Sequence, residues 1–250
     1  MKKSKDTLGD RMKSYENSYR FSFPKKLPII IRADGKSFSK LLSKCKKPFD
    51  SNVLDVMNQT AIYMCQSIQG AKVAYVQSDE ISILLTDYQT HETDSWFSSN
   101  LNKIVSVSAA LAVSKFTSLS PSIFGEMKLA QFDSRAFILS KDEVNNYFIW
   151  RQQDATRNSV QMTAQSLYSH KELHKKNNSA LQEMIFQKGI NWGNLPISEK
   201  RGRCIVKNIK LSTMIHPKTK EEIIVERSVW EVDNEIPEFS KKHAYIDQYL

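Results

Sequence analysis

Two carboxylates in this sequence stand where a strand should end. Asp34 follows the apolar run Ile29-Ile30-Ile31 through Arg32-Ala33, and Asp79 follows Val73-Ala74-Tyr75-Val76 through Gln77-Ser78. A carboxylate in that position is held by the sheet behind it, and hard dications take oxygen ligands of this kind before they bind a nucleoside triphosphate. Two Mg²⁺ ions about 3.5 to 4 Å apart, bridged by shared carboxylates, can activate an attacking hydroxyl and neutralise a leaving pyrophosphate. Asp34 and Asp79 are the bridging candidates. Gly35 joins them as a metal candidate, because a residue without Cβ lets its carbonyl approach an ion or its amide approach a phosphate. Glu80 is the third catalytic candidate, although neighbouring strand residues face opposite ways and its carboxylate could instead hold Arg32 or another cation. An Asp-Gly pair and a polar hairpin are each ordinary turn chemistry. Their joint placement makes a site the stronger reading.

Other groupings are less specific. Lys46, Lys47 and Asp50 surround Pro48 just ahead of a helix, where the lysines could hold triphosphate oxygens as point charges or form a solvated basic loop. Arg151, Asp154, Asn158, Gln161 and Gln165 recur at spacings of three and four, giving one helix face that could contact phosphate and ribose or be an exposed stripe. His170 and His174 have helical ligand spacing, but no Glu follows the first His as a zinc protease requires. There is neither GxxxxGK[ST] nor GxGxxG, so phosphate-loop and dinucleotide folds have no support. No Ser or Cys lies in a nucleophile elbow.

The elements that must position these residues follow from alternating periods. Lys26 to Arg32 is a continuous apolar strand, and Asp50-Ser51 offers an N-cap before Leu54, Met57, Ala61, Met64 or Cys65, and Ile68 at helical spacing. Gly70 stops that helix. The runs Val73 to Val76 and Ile81 to Leu85, with only Gln77 to Glu80 between them, form a hairpin with Asp79 near its tip. Asp94-Ser95 caps a second helix whose face is Phe97, Leu101, Ile104, Ser108, Leu111 and Lys115, and a fourth strand lies near Ala130 to Leu139. The order βαββαβ is the ferredoxin-like arrangement, an α+β fold whose antiparallel sheet brings the end of the first strand beside the central hairpin. Further on, Glu143 to Tyr168 reads as helix, Lys171 to Lys188 less clearly so, and Ile223 to Val232 as a terminal strand or hairpin. The spacing of Leu8, Met12, Tyr15 and Tyr19 would pack an N-terminal helix on the core.

Forty per cent apolar residues, with four Trp and twelve Phe among 250, supply a real core. The longest aliphatic stretch, Leu27 to Ile31, is too short to span a bilayer, and Lys2, Lys3 and Lys5 lead into Asp6 and Gly9 rather than an apolar signal segment. A soluble, cytoplasmic chain without a membrane partner is expected. Cys45, Cys65 and Cys204 are widely separated and lack CxxC spacing, which fits a reducing compartment. The formal charge of +9 attracts polyanions or merely solvates the surface. Its clusters at Lys44, Lys46 and Lys47, at Lys171, Lys175 and Lys176, and at Lys200 to Arg203 would suit a long ligand touching several places.

The motifs together resemble the tRNA-His guanylyltransferases and, more closely, their bacterial and archaeal relatives, the 3′-to-5′ polymerases. The matching stretches are Ile31-Arg32-Ala33-Asp34-Gly35-Lys36-Ser37-Phe38, Lys47-Pro48-Phe49-Asp50, Gln77-Ser78-Asp79-Glu80-Ile81-Ser82, Phe132-Asp133-Ser134-Arg135, Trp150-Arg151-Gln152 and Gly189-Ile190-Asn191-Trp192. The resemblance implies a palm-like catalytic domain over residues 1–140, including the N-terminal helix, with a largely helical extension and C-terminal tail over 141–250 packed on it as one unit. It implies two Mg²⁺ on Asp34, the Gly35 carbonyl and Asp79. Asp34, Gly35, Lys36, Ser37, Phe38 and Ser39, with Ser78 and Asp79, would contact the nucleotide, and Lys47, Arg135 and Arg32 would help hold triphosphate or the activated 5′ end. Arg151 and Asn158 join this set as tRNA or phosphate candidates. The substrates implied are ATP, GTP and other NTPs together with tRNA, and the assembly a homotetramer.

In place of the eukaryotic His-Ile-Asn-Asn motif stand Thr156, Arg157, Asn158 and Ser159, and Lys175 to Ser179 occupy the region of a Lys-Gly-Thr stretch. Both departures are shared with the polymerase-like branch. They favour template-dependent repair of 5′-truncated tRNA over obligatory addition of G(-1) to tRNA-His. A nucleotide cyclase or dinucleotide synthase could use the same two carboxylates, and a non-catalytic RNA-binding module could use the same charge. The Gly-Gly-Asp/Glu-Glu-Phe hairpin of such synthases is missing.

Overall fold

The computed structural model describes residues 7–215 and 222–250; the Lys-rich start and Asp6 lie outside them. In chain order the elements are α1 (Leu8–Ser18), β1 (Ile29–Gly35), α2 (Phe38–Leu41), α3 (Ser51–Ser67), β2 (Ala71–Gln77), β3 (Glu80–Leu85), α4 (Leu101–Leu119), α5 (Pro121–Phe124) and β4 (Phe132–Ile138). They continue with α6 (Lys141–Gln165), α7 (His170–Leu173), α8 (Asn178–Gln187), α9 (Ile197–Arg201), β5 (Arg203–Ile215), β6 (Glu222–Asp233) and α10 (Ala244–Asp247). The strands form a six-stranded sheet in the order β4-β1-β3-β2-β5-β6, antiparallel at every pairing. Its first four strands have the ferredoxin-like order, so the α+β expectation holds.

The period of two divides the sheet into two working faces. Ile29, Ile31 and Ala33, with Ile81, Ile83 and Leu85 of β3, pack against Met57, Ala61 and Met64 of α3 and Ile104, Ala112 and Phe116 of α4. The opposite face packs Ile30, Leu84, Val73 and Tyr75 against Val144, Tyr147 and Phe148 of α6 and against Ile236, Phe239 and Ile246 near the C-terminus. Arg32, Asp34, Glu80 and Ser82 have the parity of this second face. Chemistry therefore shares a face with α6, and the first face is left to aliphatic packing.

Local caps account for the boundaries. Asp50 accepts the amides of Asn52 and Val53 at 2.9 and 3.3 Å, opening α3 where its Asp-Ser pair predicts. For α4 the spacing places the cap at Asp94-Ser95, but Asn100 holds it, accepting the Lys103 amide at 3.0 Å. Phe97, Ser98 and Ser99 just before it have left-handed φ angles, which keep the helix from starting earlier. The buried stripe is accordingly Ile104, Ser108, Ala112 and Phe116 rather than one ending at Leu111 and Lys115. Leu101 to Phe124 is long and apolar enough to cross a membrane by length and composition, yet this stripe packs on the sheet.

Two further expectations change. Helix α1 buries none of its residues, and Leu8 and Tyr15 are 65% and 63% exposed. Both sheet faces are already covered, so α1 finds no core to join. The strand pattern at Ile223 to Val232 falls within β6, whose partner β5 pairs with β2 over Arg203 to Val206 and extends the sheet itself. The second half of the chain is thus not only helical.

Phe38 is the buried foot under the first motif. Its ring lies edge-on to Phe116 and Phe132, each 5.0 Å between centroids. A Cβ on Gly35 would fall 2.4 Å from that ring, so the aromatic beneath fixes the glycine above. Phe38→Ala should cost about 3 to 5 kcal/mol in urea unfolding, as expected for deleting a buried aromatic. A loss below about 1 kcal/mol would show that the ring is not structural.

Candidate active site

Strand register assembles the acidic cluster. Asp34, next to last in β1, lies opposite Glu80 of β3 on one side and Asp133 of β4 on the other. The β2–β3 hairpin turns through Ser78 and Asp79, with Ser78 at φ 47°, and the Gly35 amide donates to the Asp79 carbonyl at 3.1 Å. Sequence-distant Asp34 and Asp79 thereby meet at one end of the sheet. Burial first, then the charges of Asp79, Glu80 and Asp133, push the Asp34 carboxyl up to about 6, against the pull of Arg32. Burial also raises Asp79, outweighing its hydrogen bond from Ser78. Two half-solvated carboxylates that repel each other are a fit for a hard dication, with the Gly35 carbonyl beside them. Among the described residues no three His, Cys, Asp or Glu side chains converge as a ligand cluster.

Glu80 is occupied elsewhere. Arg151 Nε and Nη2 donate to its two carboxylate oxygens at 2.8 and 2.6 Å, and both side chains are buried. Its cation is therefore Arg151 and not Arg32. Arg151 also donates to Asp154 at 2.9 Å, so the residue expected to meet tRNA or phosphate is an internal counter-ion. Ser82 Oγ, 3.2 Å from Glu80 and 2.7 Å from the Tyr147 hydroxyl, ties this pair to α6. Gln152, next along, accepts the Phe239 amide at 2.8 Å and donates to the Pro237 carbonyl at 2.9 Å, clamping the C-terminal segment.

The remaining candidates divide by exposure. Arg32 stacks over Trp150, 5.9 Å from the ring centroid, and its buried Nε has no hydrogen-bond partner. Arg135, half-exposed, pairs with Asp133 at 3.1 Å. Lys36, Ser37 and Ser39 are exposed, with Ser37 left-handed at the start of α2, whereas the Phe38 side chain is core and can offer a nucleotide only backbone. Lys47 is exposed on the loop before α3 and donates to the Leu42 carbonyl at 3.2 Å.

Beside the carboxylates opens a cavity with about 680 Å³ of non-atom space, open solvent at its mouth included. Leu42, Pro48, Phe49, Val53 and Met162 give it apolar walls, Lys46 and Lys47 stand at its loop side, and Gln77 and Ser78 join it to Asp79. Asn158 lines it too. Its mixed lining, apolar walls with a few polar and charged groups, is that of a small-molecule site. Glu199 and Arg203 also line this cavity, and nothing in the motif pattern singles them out beyond the basic run Lys200 to Arg203.

Comparison with known proteins supplies the family. The family model described as tRNAHis guanylyltransferase (Thg1) matches residues 9–140, more than half of the chain. The chain belongs to the tRNAHis guanylyltransferase family. A bacterial tRNAHis guanylyltransferase-like protein solved in complex with ATP is 44% identical, with a TM-score of 0.87 over 97% of this chain and 98% of that one. A structure of such a bacterial protein in complex with GTP is 43% identical, with a TM-score of 0.82 over 98% and 99% of the two chains. A probable tRNAHis guanylyltransferase of Dictyostelium discoideum is 28% identical over 79% of this chain and 83% of its own. Membership makes the chain a nucleotidyltransferase, and the matched region holds both carboxylates.

Removing one partner of the buried pair should be costly. Glu80→Ala should lose about 3 to 5 kcal/mol, and the double substitution Glu80→Met with Arg151→Met should recover most of it in denaturant unfolding. Equal losses would place the stability elsewhere. For Asp34 the sign follows from its raised value. Between the ordinary 3.8 and about 6 the folded chain holds a proton that the unfolded chain has lost, so stability falls as pH rises through this window and stays lower above it. Without divalent cations, Asp34→Asn should therefore gain melting temperature over the parent as pH rises from about 4 to 6 and hold that gain at pH 8. A pH-independent difference would count against the raised carboxyl.

Proposed function

We propose that the chain adds nucleotides to the 5′ end of tRNA in the 3′-to-5′ direction, choosing them mainly by pairing with the opposite strand and thereby repairing 5′-truncated tRNA. The observation that carries this is the meeting of Asp34 and Asp79 at the sheet end, beside a cavity of mixed lining and inside the region that matches the family. Addition of G(-1) to tRNA-His remains within the same chemistry. The neighbours solved with ATP and with GTP support nucleoside triphosphates as substrates.

In the reaction, a 5′-monophosphate first attacks the α-phosphorus of ATP, forming an adenylylated end and releasing pyrophosphate. The 3′-hydroxyl of the incoming nucleotide then attacks the activated 5′ phosphorus, a new phosphodiester forms, and AMP leaves. Where the RNA end is already a triphosphate, pyrophosphate leaves instead. Asp34, Asp79 and the Gly35 carbonyl would hold Mg²⁺, which when bound lowers the cost of deprotonating the hydroxyl and of placing charge on the leaving group. Lys46 and Lys47 on their loop can take triphosphate oxygens. Arg32, with a buried donor unused, and Arg135 line the acidic end where the RNA phosphate must come. Glu80 acts by holding Arg151 and so fixing α6 over the sheet. The exposed apolar side chains of α1 support a homo-oligomer, and the thiol pattern a cytoplasmic setting.

The test gives the purified protein labelled tRNAs lacking one or more 5′ nucleotides, with Mg²⁺ and single NTPs, and reads product length. Extension should follow the opposite base, and Asp79→Ala should bind tRNA normally while extension falls by about 10³-fold or more. Cyclised or dimerised GTP with unextended tRNA would give the site to a cyclase instead. Undiminished function in Asp79→Ala would reduce the chain to an RNA binder.

A further inference from the structure

Of the three aromatic side chains on α6, Tyr147 and Phe148 are buried, whereas Trp150 is 48% exposed. Its ring is nevertheless held. The Arg151 guanidinium lies 4.5 Å from the ring centroid, and Tyr147 meets the ring edge-on at 5.9 Å. Both neighbours are buried and fixed in turn, Arg151 by the two carboxylate oxygens of Glu80 and Tyr147 by Ser82 Oγ. They therefore back the indole from the protein side, and its open surface faces solvent. An aromatic ring oriented beforehand loses little freedom on binding, which makes it a platform for another planar group.

Strand order puts this platform across the carboxylates from the cavity. The cavity lining draws on Gln77 of β2 and on Gly202 and Arg203 at the start of β5, the β2–β5 side of the sheet. Trp150 lies over the β1–β4 side, where Arg32 of β1, paired in register with Arg135 of β4, is 5.9 Å from its ring centroid. Asp34 follows Arg32 by two residues on the same face, about 7 Å along the strand. Arg32 is partly exposed, makes no ion pair among the described residues, and has a buried Nε without a partner. An uncompensated guanidinium beside an open indole complements one class of ligand, a phosphate joined to a base.

In the second step of the reaction two free nucleoside units are present at once, the incoming nucleotide and the adenosine of the activated RNA end. One cavity holds one of them. We propose that Trp150 stacks on the adenine of the adenylylated 5′ end while Arg32 and Arg135 hold its phosphates, which leaves the cavity to the incoming nucleotide. The inference rests on the nucleotidyl transfer proposed above and adds to it a site for the leaving group. As the 3′-hydroxyl oxygen bonds to the RNA 5′ phosphorus, the bond from that phosphorus to the bridging oxygen breaks. The electron pair stays on the AMP phosphate, beside Arg32, and the hydroxyl proton goes to solvent. Trp150 anchors the departing AMP by its base.

Single-turnover extension by the full chain, with Mg²⁺, the complementary NTP and enzyme kept below saturation, tests this on one tRNA lacking its 5′ nucleotide and prepared with two leaving groups. An adenylylated end carries the extra base, whereas a 5′-triphosphate end releases only pyrophosphate. Trp150→Leu should lower the ratio of the adenylylated to the triphosphate rate by about tenfold, and Trp150→Phe should hold that ratio within about threefold of the parent. A role in packing alone, or one exerted through Arg32, would slow both ends together, and an unchanged ratio in Trp150→Leu overturns the platform. On the parent protein, an end activated with ribose 5-phosphate in place of AMP should react about tenfold more slowly than the adenylylated end. That comparison decides alone if Trp150→Leu fails to fold, and equal rates overturn the leaving-group site while the function stands. A folded parent that extends neither end overturns both.

Discussion

The constraint on which the site depends is the crowding of like charge at one end of β1. Register places Asp34 between Glu80 and Asp133, and the hairpin brings Asp79 across the Gly35 amide. Burial and the neighbouring negative charge raise the carboxyls of Asp34 and Asp79. The chain neutralises Glu80 internally with Arg151 and gives Asp133 the half-exposed Arg135. Asp34 and Asp79 are left without an ion-pair partner among the described residues, with burial against them. Their repulsion is a standing cost that a bound cation would remove.

That cost is tolerable because the opposite face of the same strands is almost wholly aliphatic. Ile29, Ile31 and Ala33 lie against α3 and α4, and Phe38 reaches under Gly35 to the Phe116–Phe132 pair. The loop that carries Asp34 is thus anchored from below by an aromatic cluster while its upper side remains free. A period of two makes the division possible, since each strand contributes to packing and to chemistry with alternate residues.

Much of this was legible in the residues. Apolar runs, the Asp50 cap and the four-residue gap at Gln77 to Glu80 define the βαββαβ order, and the order alone delivers Asp34 to Asp79. What escaped depended on tertiary neighbours. The alternation at Asp79-Glu80 says that the two side chains diverge, but only the position of α6 decides that Arg151 meets Glu80 and that Arg32 lies instead against Trp150. The apolar spacing of α1 is helical as expected, yet burial needs a vacant surface, and none was left. The α4 cap moved to Asn100 because three left-handed residues intervene, a feature that Phe97-Ser98-Ser99 does not announce in its composition. Strand β5 hides in a run whose lysines and asparagine alternate with isoleucine, leucine and valine.

Arg203 shows how a run of like residues can divide between surface and interior. In the sequence it is the last of the cluster Lys200 to Arg203 and reads as solvated surface or RNA contact. In the fold its backbone hydrogen-bonds to β2 opposite Val76, and Gly202, at φ 78°, turns the chain so tightly that any Cβ there would meet the Tyr75 hydroxyl and the Val76 carbonyl at 2.7 Å. That turn sends Arg203 inward, under α3, while the Lys200 and Arg201 side chains before it stay partly solvated. A surface arginine and a buried one are the same letter, but only the buried one needs protein acceptors, here Asn58 Oδ1 and the Leu54 carbonyl, in place of water. The glycine therefore converts one member of a basic run from a long-range electrostatic contribution into a buried tie between β5 and α3.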